Sequence, residues 1–256
     1  MGPPGGPAVL DGVRLRLEAG QVAVLLGGNG AGKTTLLRTA AGLWPPLSGR
    51  IRPRRDGFDP RDAGFVLDDP SAQLVAGTVA GEIEFALESL GLSGTEIRER
   101  TDRALAGFGL EPLAGRDSRS LSVGELARCV LAAAWAPGPP LLLLDDPFLY
   151  LGPAAAEGLW DRVAASVREG MVGGILLATQ DGEIAAGADR VGLLDGGRLT
   201  AWGPPEDVLS LDLPRAVEPP LGPWLVRELR GRGWRLPGAG FGTARLADRI
   251  AAELSE

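Results

Sequence analysis

One nine-residue stretch, residues 27–35, constrains the fold of this chain more than any other part of the sequence. It reads G-G-N-G-A-G-K-T-T and contains the spacing G-x-x-x-x-G-K-T of a phosphate-binding loop. Its Lys33 is the only lysine and its Asn29 the only asparagine in 256 residues, and every other basic residue is arginine. A chain that otherwise uses arginine but keeps one lysine here requires a compact ammonium group at this position.

The segments on either side of this loop indicate how it is held. Residues 22–26 are an apolar run typical of a buried strand, and residues 36–41 continue as a helix. Glycines allow backbone N–H groups to converge on an anion at the helix N-terminus, where the helix dipole also favours negative charge. We therefore expect Lys33 to reach the outer phosphates of a nucleotide and Thr34 to place its hydroxyl on Mg²⁺. A glycine-rich turn with a chance lysine is the alternative, and the strand-loop-helix context argues against it. The residues expected to line the nucleotide are Gly27, Asn29, Gly30, Ala31, Gly32, Lys33, Thr34 and Thr35.

Composition argues against several partners and locations. The net charge is −7 and the arginines are scattered, so nucleic acid is not expected as a partner. The single cysteine, Cys129, lies in an apolar helical stretch, which excludes a disulfide framework and favours a reducing compartment. No segment approaches the ~18 uninterrupted apolar residues of a membrane span, and residues 1–7 lack a signal-peptide pattern. We therefore expect a soluble, cytoplasmic chain.

A second candidate site follows an apolar run much later in the chain. Residues 141–144 are four leucines, and Asp145 and Asp146 come directly after them. A central parallel strand has this pattern when its carboxyl end carries an active site. Asp145 is expected to hold Mg²⁺, and Asp146 is placed to orient or deprotonate an attacking water. Alone this is a weak signal, but together with the phosphate loop it becomes a strong one.

Residues 121–128 carry a resemblance that narrows the family. They read L-S-V-G-E-L-A-R and resemble the LSGGQ signature of ABC-type ATPases, with Arg128 where that helix usually has an arginine. Ser122 is a good N-cap, and Glu125 three residues later makes a capping box. The resemblance implies that the helix start, with Ser122, Gly124 and Glu125, meets the γ-phosphate held by a second subunit, so that catalytic sites form only in a dimer. An ordinary capped helix is the alternative when this motif is taken alone.

The resemblance covers about residues 8–210. It implies an α/β P-loop NTPase (ABC ATPase) core with a mixed sheet and a helical signature subdomain over about residues 66–136. Residues 175–181, 188–198 and 203–209 resemble the family's late strand with its switch, the following strand pair and the close of the core.

Residues 69–85 narrow the resemblance further. They are similar to the segment after the Q-loop in energy-coupling factor (ECF) ATPases, the motors of vitamin and transition-metal importers. This implies an ATPase domain over residues 1–212 and a small helical domain over residues 213–256 that assists pairing, with a linker over residues 214–223. The helix-like segments of the tail are residues 224–229 and 244–254, and a mere packing lid is the alternative.

The sequence departs from the family pattern at the positions that handle water. Asp146 stands where the family has a catalytic glutamate, and a retreat of about 1 Å can cost on the order of 100-fold in rate. Gln180 stands where the family has a switch histidine; it can donate a hydrogen bond but carries no charge. Asp68 replaces the Q-loop glutamine, and we count Asp68 among the metal-facing residues. Gly152 replaces the D-loop aspartate.

These departures predict a chain that binds ATP and Mg²⁺ well but hydrolyses ATP poorly in its own site. Such a chain would complete a competent site on a second ABC ATPase, in a heterodimer. A homodimer in which Asp146 and Gln180 suffice at a reduced rate is the competing hypothesis. A transmembrane coupling subunit is expected to dock near residues 70–85, from Pro70 to Phe85, which places the chain peripherally on the cytoplasmic face of the membrane. An ATP-dependent regulatory clamp and a non-transport ABC ATPase remain as alternatives.

Overall fold

The computed structural model describes residues 6–52 and 59–220 of the chain. The helix-like segments expected at residues 224–229 and 244–254 lie outside the described residues. The strands are β1 (Val22–Leu26), β2 (Gly64–Val66), β3 (Leu142–Asp145), β4 (Ile175–Thr179), β5 (Arg190–Asp195) and β6 (Arg198–Gly203). The helices are α1 (Lys33–Ala40), α2 (Val79–Glu88), α3 (Gly94–Gly107), α4 (Val123–Trp135), α5 (Pro153–Arg168), α6 (Gly182–Ala186) and α7 (Pro205–Val208).

The strands form a mixed sheet in the order β2-β3-β4-β1-β5-β6. The chain divides into two compact units, which we describe separately. Within the described residues, the first unit comprises residues 6–17, Val22–Leu36 and residues 178–220. The second comprises Glu18–Gln21 and Leu37–Leu177.

In the first unit, β1 is the buried strand that carries the phosphate loop. All five of its residues are buried, as the apolar run predicts. It pairs in parallel with β5, with Val24 opposite Val191, and β5 pairs antiparallel with β6. Gly196 and Gly197 join β5 to β6 with φ values of 51° and 78°, a left-handed turn that glycine adopts without steric cost. The expected late strand and strand pair are therefore both present.

In the second unit, β2 and β3 pair in parallel, with Phe65 opposite Leu143. Every residue of β3 is buried, which confirms the strand expected before the paired aspartates. Phe108, which follows α3, packs against Trp135 at the end of α4. The two rings meet edge to face, with 5.4 Å between their centroids.

Cys129 lies on α4 and is fully buried, in agreement with its apolar helical surroundings in the sequence. Burial, with a smaller contribution from the charge of Glu82, raises the pKa of the Cys129 thiol to about 12. Cys129 is therefore a packing residue rather than a reactive thiol. Within the described residues, no helix combines the length and apolarity that crossing a bilayer requires.

Candidate nucleotide-binding site

The phosphate loop connects the end of β1 at Leu26 to the start of α1 at Lys33. Gly30 and Gly32 have φ values of 78° and 103°, so the loop uses backbone conformations that residues with a Cβ rarely adopt. At Gly27 a side chain would meet the carbonyl oxygen of Leu194 at 2.5 Å. The glycines of the motif are therefore required by conformation at two positions and by space at a third.

Lys33 is buried at the first position of α1, with 7% of its surface exposed. Its Nζ donates to the carbonyl oxygens of Gly27 at 2.7 Å and Gly28 at 3.2 Å. The ammonium group is thus held against the backbone of the loop, where it is predicted to bind the phosphates of a nucleotide. Thr34 and Thr35 follow in the first turn, and no acidic residue occupies that turn. The positive end of the α1 dipole is consequently left for an external anion.

The structure brings Gln180 close to this loop in the same unit. The amide of Gly27 donates to the carbonyl oxygen of Thr179 at 3.2 Å, and Gln180 is the next residue after the end of β4. Asp181 then caps α6, since its side chain accepts from the amide of Glu183 at 2.8 Å. The half-buried Gln180 therefore lies between a strand end and a capped helix start.

Asp145 and Asp146 lie at the carboxyl end of β3 in the second unit. Asp145 is the last residue of the strand and is 2% exposed. Asp146 has a φ of 49°, and it is the only non-glycine residue of the described chain with a positive φ. Such a conformation costs on the order of 1–3 kcal/mol, and aspartate is among the few residues that tolerate it. Sequence reasoning did not anticipate this strain, which falls on the residue predicted to handle water.

The start of α4 forms the expected capping box. The Ser122 hydroxyl accepts from the amide of Glu125 at 3.4 Å, and Glu125 Oε2 accepts from the amide and the hydroxyl of Ser122, both at 2.8 Å. These donors, more than the nearby Arg116 and Arg128, hold the pKa of the Glu125 carboxyl below its ordinary value. The helix start is therefore internally satisfied and carries a negative charge.

The structure brings Gly124 together with the segment that corresponds to the D-loop. A side chain at Gly124 would meet the carbonyl oxygen of Tyr150 at 3.3 Å. Gly152 is the N-cap of α5 and makes no side-chain cap, with Pro153 following at the first helical position. Val123, Leu149 and Tyr150 are 52%, 54% and 45% exposed, so the signature and the segment before α5 each carry exposed apolar side chains.

Arg128 has a structural task in α4. Its Nη1 donates to the carbonyl oxygens of Phe108 at 3.1 Å and Gly109 at 3.0 Å. These carbonyls follow the end of α3, where the last helical oxygens lack partners inside the helix. Arg128 thus fixes α4 against the end of α3, and with it the signature.

Asp68 is exposed just after β2, and the described residues contain no cluster of three or more His, Cys, Asp or Glu side chains able to hold a metal. A residue that the motifs did not single out holds the segment before Asp68. The Gln73 side chain accepts from the amide of Leu67 at 2.7 Å and donates to the carbonyl oxygen of Phe65 at 2.8 Å. A side-chain amide that closes a loop in this way has no signature in the sequence.

A glycine-rich phosphate loop between a parallel strand and a helix, together with a buried aspartate that ends another parallel strand, defines an α/β P-loop ATPase. The family model described as ABC transporter matches residues 10–149. The chain belongs to the ABC transporter family of ATP-binding proteins.

Relatives and solved structures agree with this assignment. The cobalt import ATP-binding protein CbiO of Rhodobacter capsulatus is 37% identical over 265 residues, which cover 98% of this chain and 93% of that protein. The energy-coupling factor transporter ATP-binding protein EcfA1 of Symbiobacterium thermophilum is 34% identical over 248 residues, covering 89% and 83% of the two chains. A solved structure of cbiO1 from Clostridium perfringens, described as part of the ABC transporter complex cbiONQ, matches with a TM-score of 0.73. That match has 29% sequence identity and covers 88% of each chain. The chain is thus an ABC-type ATPase that resembles the ATP-binding subunits of ECF-type importers.

Proposed function

We propose that this chain is a motor subunit of an ECF-type importer that binds MgATP firmly and hydrolyses it slowly in its own site. It works as one half of a heterodimer, completing the site of a second, better-equipped ABC ATPase. The observation that carries the proposal is a division among the site residues. Lys33, Thr34 and Asp145, which are expected to bind phosphate and Mg²⁺, match the family, whereas Asp146 and Gln180, which are expected to activate or sense water, do not.

The phosphate-holding side supports firm binding. Lys33 is buried in its loop and positioned by two backbone carbonyls, so little side-chain entropy is lost when phosphate binds. Mg²⁺ prefers hard oxygen ligands, which fits the hydroxyl of Thr34 and the carboxylate of Asp145. When bound, the metal neutralises phosphate charge.

The water-handling side supports slow hydrolysis. Asp146 is one methylene shorter than the family's glutamate, and its left-handed backbone conformation suits aspartate better than glutamate. Gln180 can donate a hydrogen bond to phosphate, but it carries no charge and cannot accept a proton as an imidazole can. The chain contains no histidine that could take over this role.

Steady-state ATP hydrolysis across a concentration series of the purified chain tests the proposal, with ATP affinity measured in parallel. Asp146→Asn is the control for contaminating activity. We expect tight ATP binding with turnover little above that of the control. Turnover that rises with dimer formation and vanishes in Asp146→Asn would overturn the proposal and establish a working homodimer.

The exposed signature supports pairing with another ATPase. Val123 at the capped start of α4, and Leu149 and Tyr150 before α5, are apolar side chains exposed to solvent, which a partner surface would cover. Val123 replaces the first glycine of the family signature. Sedimentation of the chain alone and together with a co-expressed second ABC ATPase tests the pairing. A stable homodimer that forms in preference to the mixed pair would contradict it.

A groove in the second unit supports the docking of a membrane subunit. It has a volume of about 560 Å³, and its lining includes the exposed side chains of Val75 and Phe85, 63% and 52% exposed. Glu82 also lines the groove, although only 6% of its surface is exposed. Its Oε2 accepts from the amide of Val75 at 3.0 Å, whereas its Oε1 has no hydrogen-bond partner among the described residues.

A buried carboxylate oxygen without a partner is costly, so Glu82 calls for a donor from outside the chain. An amphipathic helix of the membrane subunit, with apolar residues against Phe85 and a cation or amide toward Glu82, would supply it. This interaction would hold the chain peripherally on the cytoplasmic face of the membrane. ATP-driven closing and opening of the dimer would then move the membrane subunit.

Binding of the purified chain to cytoplasmic-membrane vesicles of its host tests this docking. Phe85→Asp should reduce sedimentation with the vesicles at least tenfold while ATP affinity stays unchanged. Leu47→Asp is the matched control, because Leu47 is a comparably exposed apolar residue, at 57%, outside the groove. Equal binding by both variants would contradict the proposed docking surface.

An ATP-dependent clamp with almost no turnover is the second candidate function, and the strained Asp146 and uncharged Gln180 favour it. The vesicle experiment separates the two, because a regulatory clamp without a membrane subunit would not sediment with the vesicles.

A further inference from the structure

The residues that follow α7 do not form a loose tether in their described part. Residues 214–220, which we call the strap, are fastened to the segment that carries Gln180. The amide of Glu218 donates to the carbonyl oxygen of Gln180, and the amide of Gly182 donates to the carbonyl oxygen of Glu218, both at 2.9 Å. Asp181 and Glu218 thereby form a parallel bridge. Thr179, the residue before Gln180, is thus held in β4, and the carbonyl oxygen of Gln180 itself is held by the strap.

Close packing accompanies these hydrogen bonds. Val217 is 4% exposed, and Pro220 is also buried. A side chain at Gly182 would collide with the carbonyl oxygen of Glu218 and would lie 2.6 Å from Cδ of Pro220. The strap and the switch therefore fit together only because residue 182 is glycine.

The same strap reaches the phosphate loop. The Cβ of Ala216 lies 2.6 Å from where a Cβ on Gly28 would stand, so Ala216 takes the space of a side chain at that position. Position 28 is one of the four unrestricted positions of the motif G-x-x-x-x-G-K-T, and the motif itself does not require glycine there. Gly28 is buried, and its carbonyl oxygen is one of the two that hold the Lys33 ammonium.

We infer that the strap is a positioning element for ATP hydrolysis, which sets the backbone of Gln180 and of the phosphate loop relative to one another. It acts through main-chain hydrogen bonds at Glu218 and through van der Waals contact at Ala216. The inference rests on the proposed function, because it assigns Gln180 the switch role. The strap contacts both phosphate-facing segments through two residues only two positions apart, Ala216 and Glu218, which distinguishes it from a general lid.

The switch contact is tested in the full-length chain with Glu218→Pro and its matched control Glu218→Ala. Proline removes the N–H that Gln180 accepts from, whereas alanine removes only an exposed side chain and keeps the donor. Both changes are made in the Asp146→Glu background, where the longer carboxylate should raise hydrolysis well above the Asp146→Asn control. We expect single-turnover hydrolysis there to slow on the order of tenfold in Glu218→Pro, with ATP affinity and melting temperature near those of Glu218→Ala. Equal hydrolysis rates in the two variants would overturn this arm of the inference.

The loop contact is tested by second-site rescue. Gly28→Ala should weaken ATP affinity on the order of tenfold, because the new methyl group meets Ala216 and the loop must shift. Combining it with Ala216→Gly, which vacates the space, should restore affinity to within about threefold of the native value. A double variant as weak as Gly28→Ala would show that the strap does not set the loop.

Gln180→Ala separates failure of the inference from failure of the proposed function. Unchanged hydrolysis in Gln180→Ala would remove the switch role of Gln180, while the rescue at residues 28 and 216 would still report on the strap. Slow hydrolysis in Gln180→Ala with native rates in Glu218→Pro would instead remove the positioning role and keep the proposed function.

Discussion

The starts of α1 and α4 both present backbone amides at a helix N-terminus, and they are prepared for anions in opposite ways. At α1 the first turn contains no acidic residue, and Lys33 is buried beside the loop. At α4 the first turn contains Glu125, whose carboxylate already accepts from the amide and hydroxyl of Ser122. The first helix start is left open to an anion from solution, whereas the second is satisfied within the chain.

This difference indicates that the phosphate loop at α1 can bind nucleotide in the isolated chain, whereas the signature at α4 acts only with a partner. An anion-binding loop that has a buried lysine and lacks a carboxylate of its own is preorganised for nucleotide before any partner arrives. A capped start with the exposed Val123 gains from contact with another surface, and Glu125 would have to yield part of its hydrogen bonding to a phosphate there. Binding of nucleotide and recognition by a partner are therefore separable properties, and variants can address each in turn.

The largest effect is expected from replacing the only lysine. Lys33→Arg should weaken ATP affinity on the order of 100-fold, nearly as much as Lys33→Ala, because a planar guanidinium does not fit the buried position that Nζ occupies. Isothermal titration with ATP measures the affinity. Arg38→Lys, on the same helix, is the control and should bind as the native chain does. Native affinity in Lys33→Arg would refute the requirement for an ammonium group.

Asp146→Glu addresses the water-handling side. Restoring the longer carboxylate should raise turnover roughly 10- to 100-fold, because the base regains about 1 Å of reach. The same change should lower the free energy of unfolding by roughly 1 kcal/mol, since residue 146 has a φ of 49° and glutamate tolerates that conformation less well than aspartate. ATPase assays and urea denaturation measure the two effects. A folded Asp146→Glu variant without a gain in turnover would mean that another group limits hydrolysis.

Ser122→Ala addresses the signature side and should act on stability rather than on ATP affinity. Loss of the N-cap should cost about 1 kcal/mol in the free energy of unfolding. Val123→Ala is the control, because Val123 is the neighbouring exposed residue and its side chain makes no cap. Urea denaturation distinguishes the two variants. A change in ATP affinity of the isolated Ser122→Ala chain would contradict the separation of the two helix starts.

The smallest expected effect is the pH dependence of that cap. The pKa of Glu125 is lowered from 4.5 by the Ser122 amide and hydroxyl, so the folded chain binds this proton less readily than the unfolded chain. The contribution of the cap is therefore complete above pH 4.5 and is lost as the pH falls below it. The stability difference between the native chain and Ser122→Ala should shrink on acidification through this range. In a Glu125→Gln background the difference should not depend on pH.

Local signals in the sequence predicted the elements that frame the site. The apolar run of residues 22–26 coincides with β1, and the leucines before Asp145 coincide with β3, because buried parallel strands need continuous apolar residues. The capping box at Ser122 was equally predictable, since both partners lie within four residues.

Features that depend on distant contacts could not be read in this way. The strap meets Gly28 from almost the other end of the described chain, and nothing near residue 216 in the sequence marks that contact. The Oε1 of Glu82, which has no hydrogen-bond partner in the part of the chain that the structure describes, and the positive φ of Asp146 likewise arise from packing and backbone closure in three dimensions. The assignment of Asp146, Gln180 and Asp68 to their roles remains a prediction.

The buried position of Lys33 has a practical consequence for chemical probing. Because it is the only ε-amine of the chain, an acylating reagent has just two amino groups to modify, this one and the α-amino group at the N-terminus. Its Nζ donates hydrogen bonds to two carbonyl oxygens, and only 7% of the residue's surface is exposed. Lys33 should therefore resist acylation while the chain is folded, and mass spectrometry of the acylated chain would report opening of the phosphate loop at a single native amine.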